Sequence, residues 1–96
     1  MKNINEKEFK ELTQGKVVIQ FSASWCGPCK MLSKTIESHE DDLSLPFYKI
    51  DLDESADLAR SLKVMAVPTL ILFENGVEVK RVSGSKNINQ LQDFIS

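Results

Sequence analysis

The segment Lys16-Val17-Val18-Ile19-Gln20-Phe21-Ser22-Ala23-Ser24-Trp25-Cys26-Gly27-Pro28-Cys29-Lys30-Met31-Leu32 decides how this chain reads. Residues 16–21 are largely apolar and β-branched, the composition of a strand. So little polar alternation suits a strand covered on both faces, as in a parallel sheet. Ser22 to Trp25 reads as a loop. From Cys26 onward the spacing turns helical, with Met31, Leu32 and Ile36 on one side. The chain's only two cysteines stand three apart where the loop feeds that helix.

That placement has chemical consequences. Residues i and i+3 of a helix have Cα atoms about 5 Å apart, and a disulfide needs roughly 4.4–6.8 Å. Cys26 and Cys29 can therefore oxidise and reduce with little backbone movement. Cys26 falls at the helix N-terminus, where unpaired N–H groups and the helix dipole favour an anion, here the attacking thiolate. Pro28 fits a first turn, where its missing N–H costs nothing. Gly27 lets a partner come close. Cys29, one turn in, is expected to be more buried and less reactive. Two other readings stay open here: an inert core pair, and a zinc shared between chains. One chain cannot build a zinc site, because a structural site takes four ligands and the only further candidate is the distant His39.

Outward from this segment the elements alternate. Asn5 and Glu8 resemble a capping box, and Phe9 and Leu12 follow at helical spacing, so 5–13 is predicted as a helix ended by Gln14-Gly15. The helix after the cysteines is predicted to end near His39-Glu40-Asp41-Asp42. Residues 47–51 form a second strand, 55–62 a helix and 69–73 a third central strand. Asn75-Gly76 signals a hairpin that returns 77–83 antiparallel. Gly84 breaks that strand, and Asn87 caps a last helix carrying Ile88, Leu91 and Ile95. Met1 to Ile4 can add a short edge strand. Alternation implies right-handed crossovers. The expected architecture is α/β, with a mixed central sheet of four or five strands flanked on both faces by four helices.

The chain has 96 residues, 12 Lys plus Arg against 14 Asp plus Glu, and a net charge of −2. This length fits a single domain over 1–96. Hydrophobic and charged fractions of 42% and 27% exclude a disordered chain. The slightly acidic balance argues against nucleic acid as a partner. No apolar run approaches the roughly 18 residues that a membrane span needs. The N-terminal stretch has no apolar core of a signal peptide, so a cytoplasmic location is expected. Glu6-Lys7-Glu8 and Glu40-Asp41-Asp42 read as solvated faces, and His39 as an exposed residue at a helix end.

Trp25-Cys26-Gly27-Pro28-Cys29-Lys30 resembles the active-site signature of the thioredoxin family. The resemblance continues through Val67-Pro68-Thr69 and Phe73-Glu74-Asn75-Gly76 to Gly84, and covers essentially the whole chain in order. It implies the thioredoxin fold and a protein-disulfide reductase, an electron carrier in cell redox homeostasis. Cys26 is then the nucleophile and Cys29 the resolving thiol. It further implies that Pro68 is cis and faces the cysteine pair, and that Val67 offers its backbone to an extended substrate segment. Trp25, Gly27, Pro28, Ala66 and Gly84 complete a shallow apolar docking surface. Implied partners are a thioredoxin reductase and disulfide-containing target proteins, with a monomeric state, no organic cofactor and no metal.

Four positions depart from the family pattern. Gln20 stands where a buried Asp is usual, and an amide cannot act as a general base, though it can hydrogen-bond through water. Lys49 loses its usual partner and is expected to turn outward or to meet Asp51 or Asp53. Lys34 replaces a helix-kinking proline, so a straighter helix is expected. Ser22 replaces an aromatic residue. Two alternative functions follow from these departures and from the apolar surface: an oxidant or isomerase, and a non-catalytic interaction subunit.

Overall fold

The computed structural model describes residues 1–96. In chain order the elements are β1 (Lys2–Asn3), α1 (Glu6–Leu12), β2 (Lys16–Ser22), α2 (Gly27–Ser38), β3 (Phe47–Asp51), α3 (Ala56–Ser61), β4 (Thr69–Glu74), β5 (Val77–Ser83) and α4 (Ile88–Ile95). The strands form one sheet in the order β1-β3-β2-β4-β5. β1 and β2 run parallel to β3, whereas β4 is antiparallel to β2 and to β5. This is the mixed sheet expected from the sequence, with the N-terminal strand present at one edge.

β2 and β4 are central and buried on both faces, which explains their continuous apolar runs. Successive side chains point to opposite faces. Val17, Ile19 and Phe21 of β2, with Ile71 and Phe73 of β4, therefore meet α1 and α3 in one core that also holds Phe9 and Ala59. Phe9 packs edge-on against Phe21 and Phe73, with ring centroids 6.2 and 5.2 Å apart. Val18, Leu70 and Leu72 face the other way, into a second core with Leu32 and Ile36 of α2 and Leu91 and Ile95 of α4. Gln20 lies on the same face as Val18, toward α2.

Local chemistry sets the ends of these elements. Glu8 N–H donates to Asn5 Oδ1 at 2.8 Å and Asn5 N–H to Glu8 Oε1 at 3.0 Å, a complete capping box. Asn87 and Gln90 repeat the motif on α4. Asn75 and Gly76 both have positive φ, 54° and 79°, as a tight hairpin between right-twisted strands requires. The predicted helices 5–13 and 55–62 are each one residue shorter at either end, because Asn5, Thr13, Ser55 and Leu62 are their caps. Glu40–Asp42 forms a separate 3-10 turn, which the acidic run did not suggest. His39, expected to be exposed, is half-buried, with Nδ1 2.8 Å from Thr35 O. With Lys34 in place of a proline, α2 runs unbroken from Gly27 to Ser38.

Candidate active site

β2 delivers the chain to the site. After Ser22, Ala23 O accepts from Cys26 N–H at 3.2 Å, which closes the loop and sets Cys26 as the N-cap of α2. Cys26 keeps extended backbone angles, φ −95° and ψ 109°, and its Sγ accepts the Cys29 N–H at 3.1 Å. A sulfur thus fills the role usually taken by a capping oxygen. Gly27 and Pro28 form the start of the first turn, where Pro28 forfeits no helical bond. Cys26 and Cys29 are disulfide-bonded, with Cα atoms 5.3 Å apart. Cys29 is 1% exposed and Cys26 5%, in the order the helix geometry predicts.

The remaining walls come from distant parts of the chain. The Val67–Pro68 peptide is cis, and Val67 packs against Ala23, Cys26 and Cys29. Pro68 is buried and its carbonyl accepts from Gly84 N–H at 2.9 Å, so Gly84 is brought to the site. Gly84 has φ +89°, a backbone conformation that favours glycine. Thr69 Oγ1 donates to Ala66 O at 2.6 Å. Val67 neither donates nor accepts an internal backbone hydrogen bond, although it lies beside the cysteines. Trp25 is 67% exposed and donates from Nε1 to Asp53 Oδ2 at 2.9 Å.

Behind the pair, Gln20 is 0% exposed. Its Nε2 donates directly to Cys29 O and to Ser33 Oγ, each at 3.2 Å, and Ser33 Oγ lies 3.5 Å from Gln20 Oε1. The amide therefore ties β2 to the first turns of α2 by direct bonds. Lys49 pairs with neither Asp51 nor Asp53. Instead it lines a polar cleft of about 250 Å³ with Lys30, Ser22, Ser33 and Asp51. No group of His, Cys, Asp and Glu side chains is arranged to hold a metal ion. No helix is long and apolar enough to cross a membrane.

Two site residues escaped the sequence reading in the roles they hold here. Ser33 did carry a signal, as a small polar residue on the otherwise apolar buried face of Cys29, Leu32 and Ile36. Asp53 entered only as a possible partner of Lys49, and its contact with Trp25 carried no signal because it spans 28 positions of sequence.

The thioredoxin family model matches residues 1–96. Thioredoxin-1 of Saccharomyces cerevisiae is 49% identical over 70 residues, covering 72% of this chain and 68% of that protein. The thioredoxin of Chlamydia trachomatis is 39% identical over 95 residues, covering 97% and 93%. Among solved structures, the thioredoxin of Malassezia sympodialis superposes with a TM-score of 0.84 at 36% identity, covering 99% of this chain and 87% of that one. The match extends over the elements that bring Cys26 and Cys29 to disulfide distance, and the chain belongs to the thioredoxin family of thiol–disulfide oxidoreductases.

Proposed function

We propose that the chain reduces disulfides in target proteins, with Cys26 as the attacking thiol and Cys29 as the resolving one. The observation that carries this reading is the capping geometry, in which Cys26 Sγ accepts the Cys29 N–H at 3.1 Å at the head of α2. In the dithiol form the same N–H and helix dipole favour a thiolate at Cys26. That thiolate attacks one sulfur of a target disulfide, forming a mixed disulfide and releasing the other sulfur as a thiolate, which takes up a proton. Cys29 then loses its proton and attacks Cys26 Sγ. The Cys26–Cys29 disulfide forms, and the target leaves with two thiols and two added electrons. The reaction uses no cofactor beyond the cysteine pair.

Docking falls to the surface around the pair, formed by Trp25, Gly27, Pro28, Ala66, Val67, Pro68 and Gly84. The free N–H and C=O of Val67 supply the two backbone partners that an extended target segment needs. Lys30 and Lys49 add positive charge to the adjoining cleft. The oxidised chain is returned to the dithiol by a thioredoxin reductase. The protein works as a monomer in the cytoplasm.

Gln20 shapes the resolving step. Its amide cannot take a proton, so the Cys29 proton leaves to water or hydroxide, and reduction rises more steeply with pH than with a carboxylate at this position. The test of the thiol roles is trapping. Cys29→Ser, reduced and mixed with an oxidised protein substrate, is expected to accumulate a mixed disulfide that dithiothreitol releases. Cys26→Ser is expected to form none. The reverse pattern, or no adduct with either variant, overturns the assignment.

A further inference from the structure

The end of α3 is finished by a reverse turn and by a side chain from across the sheet. Val64 N–H donates to Ala59 O at 2.9 Å and Lys63 N–H to Arg60 O at 3.0 Å. Lys63 is left-handed at φ 57°. This pair of bonds is the usual way a helix is closed when the residue after its cap turns left-handed, a position glycine prefers. Here a lysine holds it. The next two carbonyls, of Leu62 and Lys63, are taken by Arg81 of β5, which donates from Nη2 to Leu62 O at 2.7 Å and from Nη1 to Lys63 O at 3.3 Å. Glu78 grips the same guanidinium, accepting from Nε at 2.6 Å and from Nη2 at 2.5 Å. The contact holds the Glu78 carboxyl below its usual range and Arg81 above its own. A cation is also well placed against the carbonyl end of a helix dipole.

The clamped residues lead straight into the docking segment. Val64 is buried, Met65 stands 94% exposed, and Val67 reaches the cysteines. The far end of the segment is tied to the same strand and the residue after it, by Thr69 Oγ1 to Ser83 Oγ at 3.1 Å and by Gly84 N–H to Pro68 O. Arg81 therefore anchors one end of a short segment whose other end is fixed independently. We infer that Arg81 is a positioning residue for substrate docking: by clamping the Leu62 and Lys63 carbonyls it fixes how residues 64–67 present the free backbone of Val67 to an extended protein substrate. This rests on the docking reading above. Arg81 touches no reacting atom, and a small disulfide that reaches Cys26 without lying along Val67 does not need the clamp.

The test mixes the reduced protein with insulin, and separately with a small aromatic disulfide, and follows its oxidation by stopped flow. For Arg81→Leu the half-saturating insulin concentration is expected to rise about three- to tenfold, the scale of ordering one short segment on binding. The limiting rate with insulin and the rate with the small disulfide are expected to change by less than about twofold. Arg81→Lys, which keeps the charge and fewer donors, is expected to recover part of the loss. Ala66→Asp, a carboxylate set directly on the docking surface, tests docking without touching the clamp. A rise for Ala66→Asp but none for Arg81→Leu overturns this inference and leaves docking standing. No rise for either overturns both. A rise for Arg81→Leu alone, or an equal loss on both substrates, also overturns the inference, since the clamp then acts on something other than docking. Urea unfolding reports whether Arg81→Leu folds. Where it does not, the same comparison is made on Arg81→Lys.

Discussion

Replacing Gln20 by Asp puts the family's usual residue into this chain and can be worked out in advance. Gln20 is 0% exposed and lies among Cys29 O, Ser33 Oγ and the second core. A carboxyl there loses its water, and of the groups bonded to Gln20 only the Ser33 hydroxyl can donate to it, while Lys49, its register partner on β3, makes no bond to this position. Burial raises a carboxyl pKa by up to roughly 3–5 units, and the single donor leaves about 3 of them. Each unit corresponds to about 1.4 kcal/mol, so the ionised variant is less stable than its protonated form by about 4 kcal/mol. The folded pKa lies above the unfolded value of about 4, so the variant holds its full stability below pH ~4. That stability falls as pH rises to about 7, then levels off. An amide at the same position does not titrate. Urea unfolding of both proteins at pH 4, 6 and 8 measures the difference, and using the oxidised forms removes cysteine titration from the comparison. A loss of about 4 kcal/mol is a large part of the roughly 5–15 kcal/mol that holds a domain of this size. A wild-type-minus-variant difference that stays constant from pH 4 to pH 8, within about 0.5 kcal/mol, refutes the reasoning, because the site is then not dry. The same two proteins, reduced, test the chemistry. The wild type is expected to show the steeper turnover–pH profile, and superimposable profiles remove the argument that Cys29 gives its proton to solvent.

Two further outcomes follow from the fold. Ile71→Ala, at a fully buried position of β4 between α1 and α3, is expected to cost about 2–5 kcal/mol in urea unfolding; a cost below about 1 kcal/mol means the core collapses around the missing side chain. Reducing the disulfide opens a closed loop of four residues, Cys26 to Cys29, for which chain entropy predicts a loss of about 2 kcal/mol. Coincident urea curves for the two redox forms contradict that estimate.

The sequence carried most of the architecture because the signals were local. The KVVIQF run, the Asn5–Glu8 pair and the Asn75-Gly76 turn each act over a few residues, and each forms as predicted. The site was legible as far as its chemistry sits in one stretch, from Trp25 to Lys30. Contacts made between layers were harder to read. Whether Gln20 reaches α2 directly depends on where β2 and α2 cross, which no periodicity specifies, and so Ser33 stayed hidden. Trp25 meets Asp53, and Arg81 meets Leu62, only because the sheet order brings their elements together. Lys63 in a left-handed turn had no glycine to announce it. Lys49, expected to turn outward or to pair with Asp51 or Asp53, stands in a cleft whose shape arises only from packing.

In the docking mode proposed above, the unpartnered N–H and C=O of Val67 bear on which disulfides this chain reduces. Main-chain groups do not distinguish one side chain from another. They ask only that a few residues beside the disulfide be straight and have their own amides free. A segment held in a helix or inside a sheet of its own protein fails that requirement until it frays. For folded targets, the rate of reduction should then follow the free energy of local opening around the disulfide more closely than the residues that flank it. A chain reading its targets in this way surveys them for looseness, and a stabilising mutation far from a target's cysteines protects them.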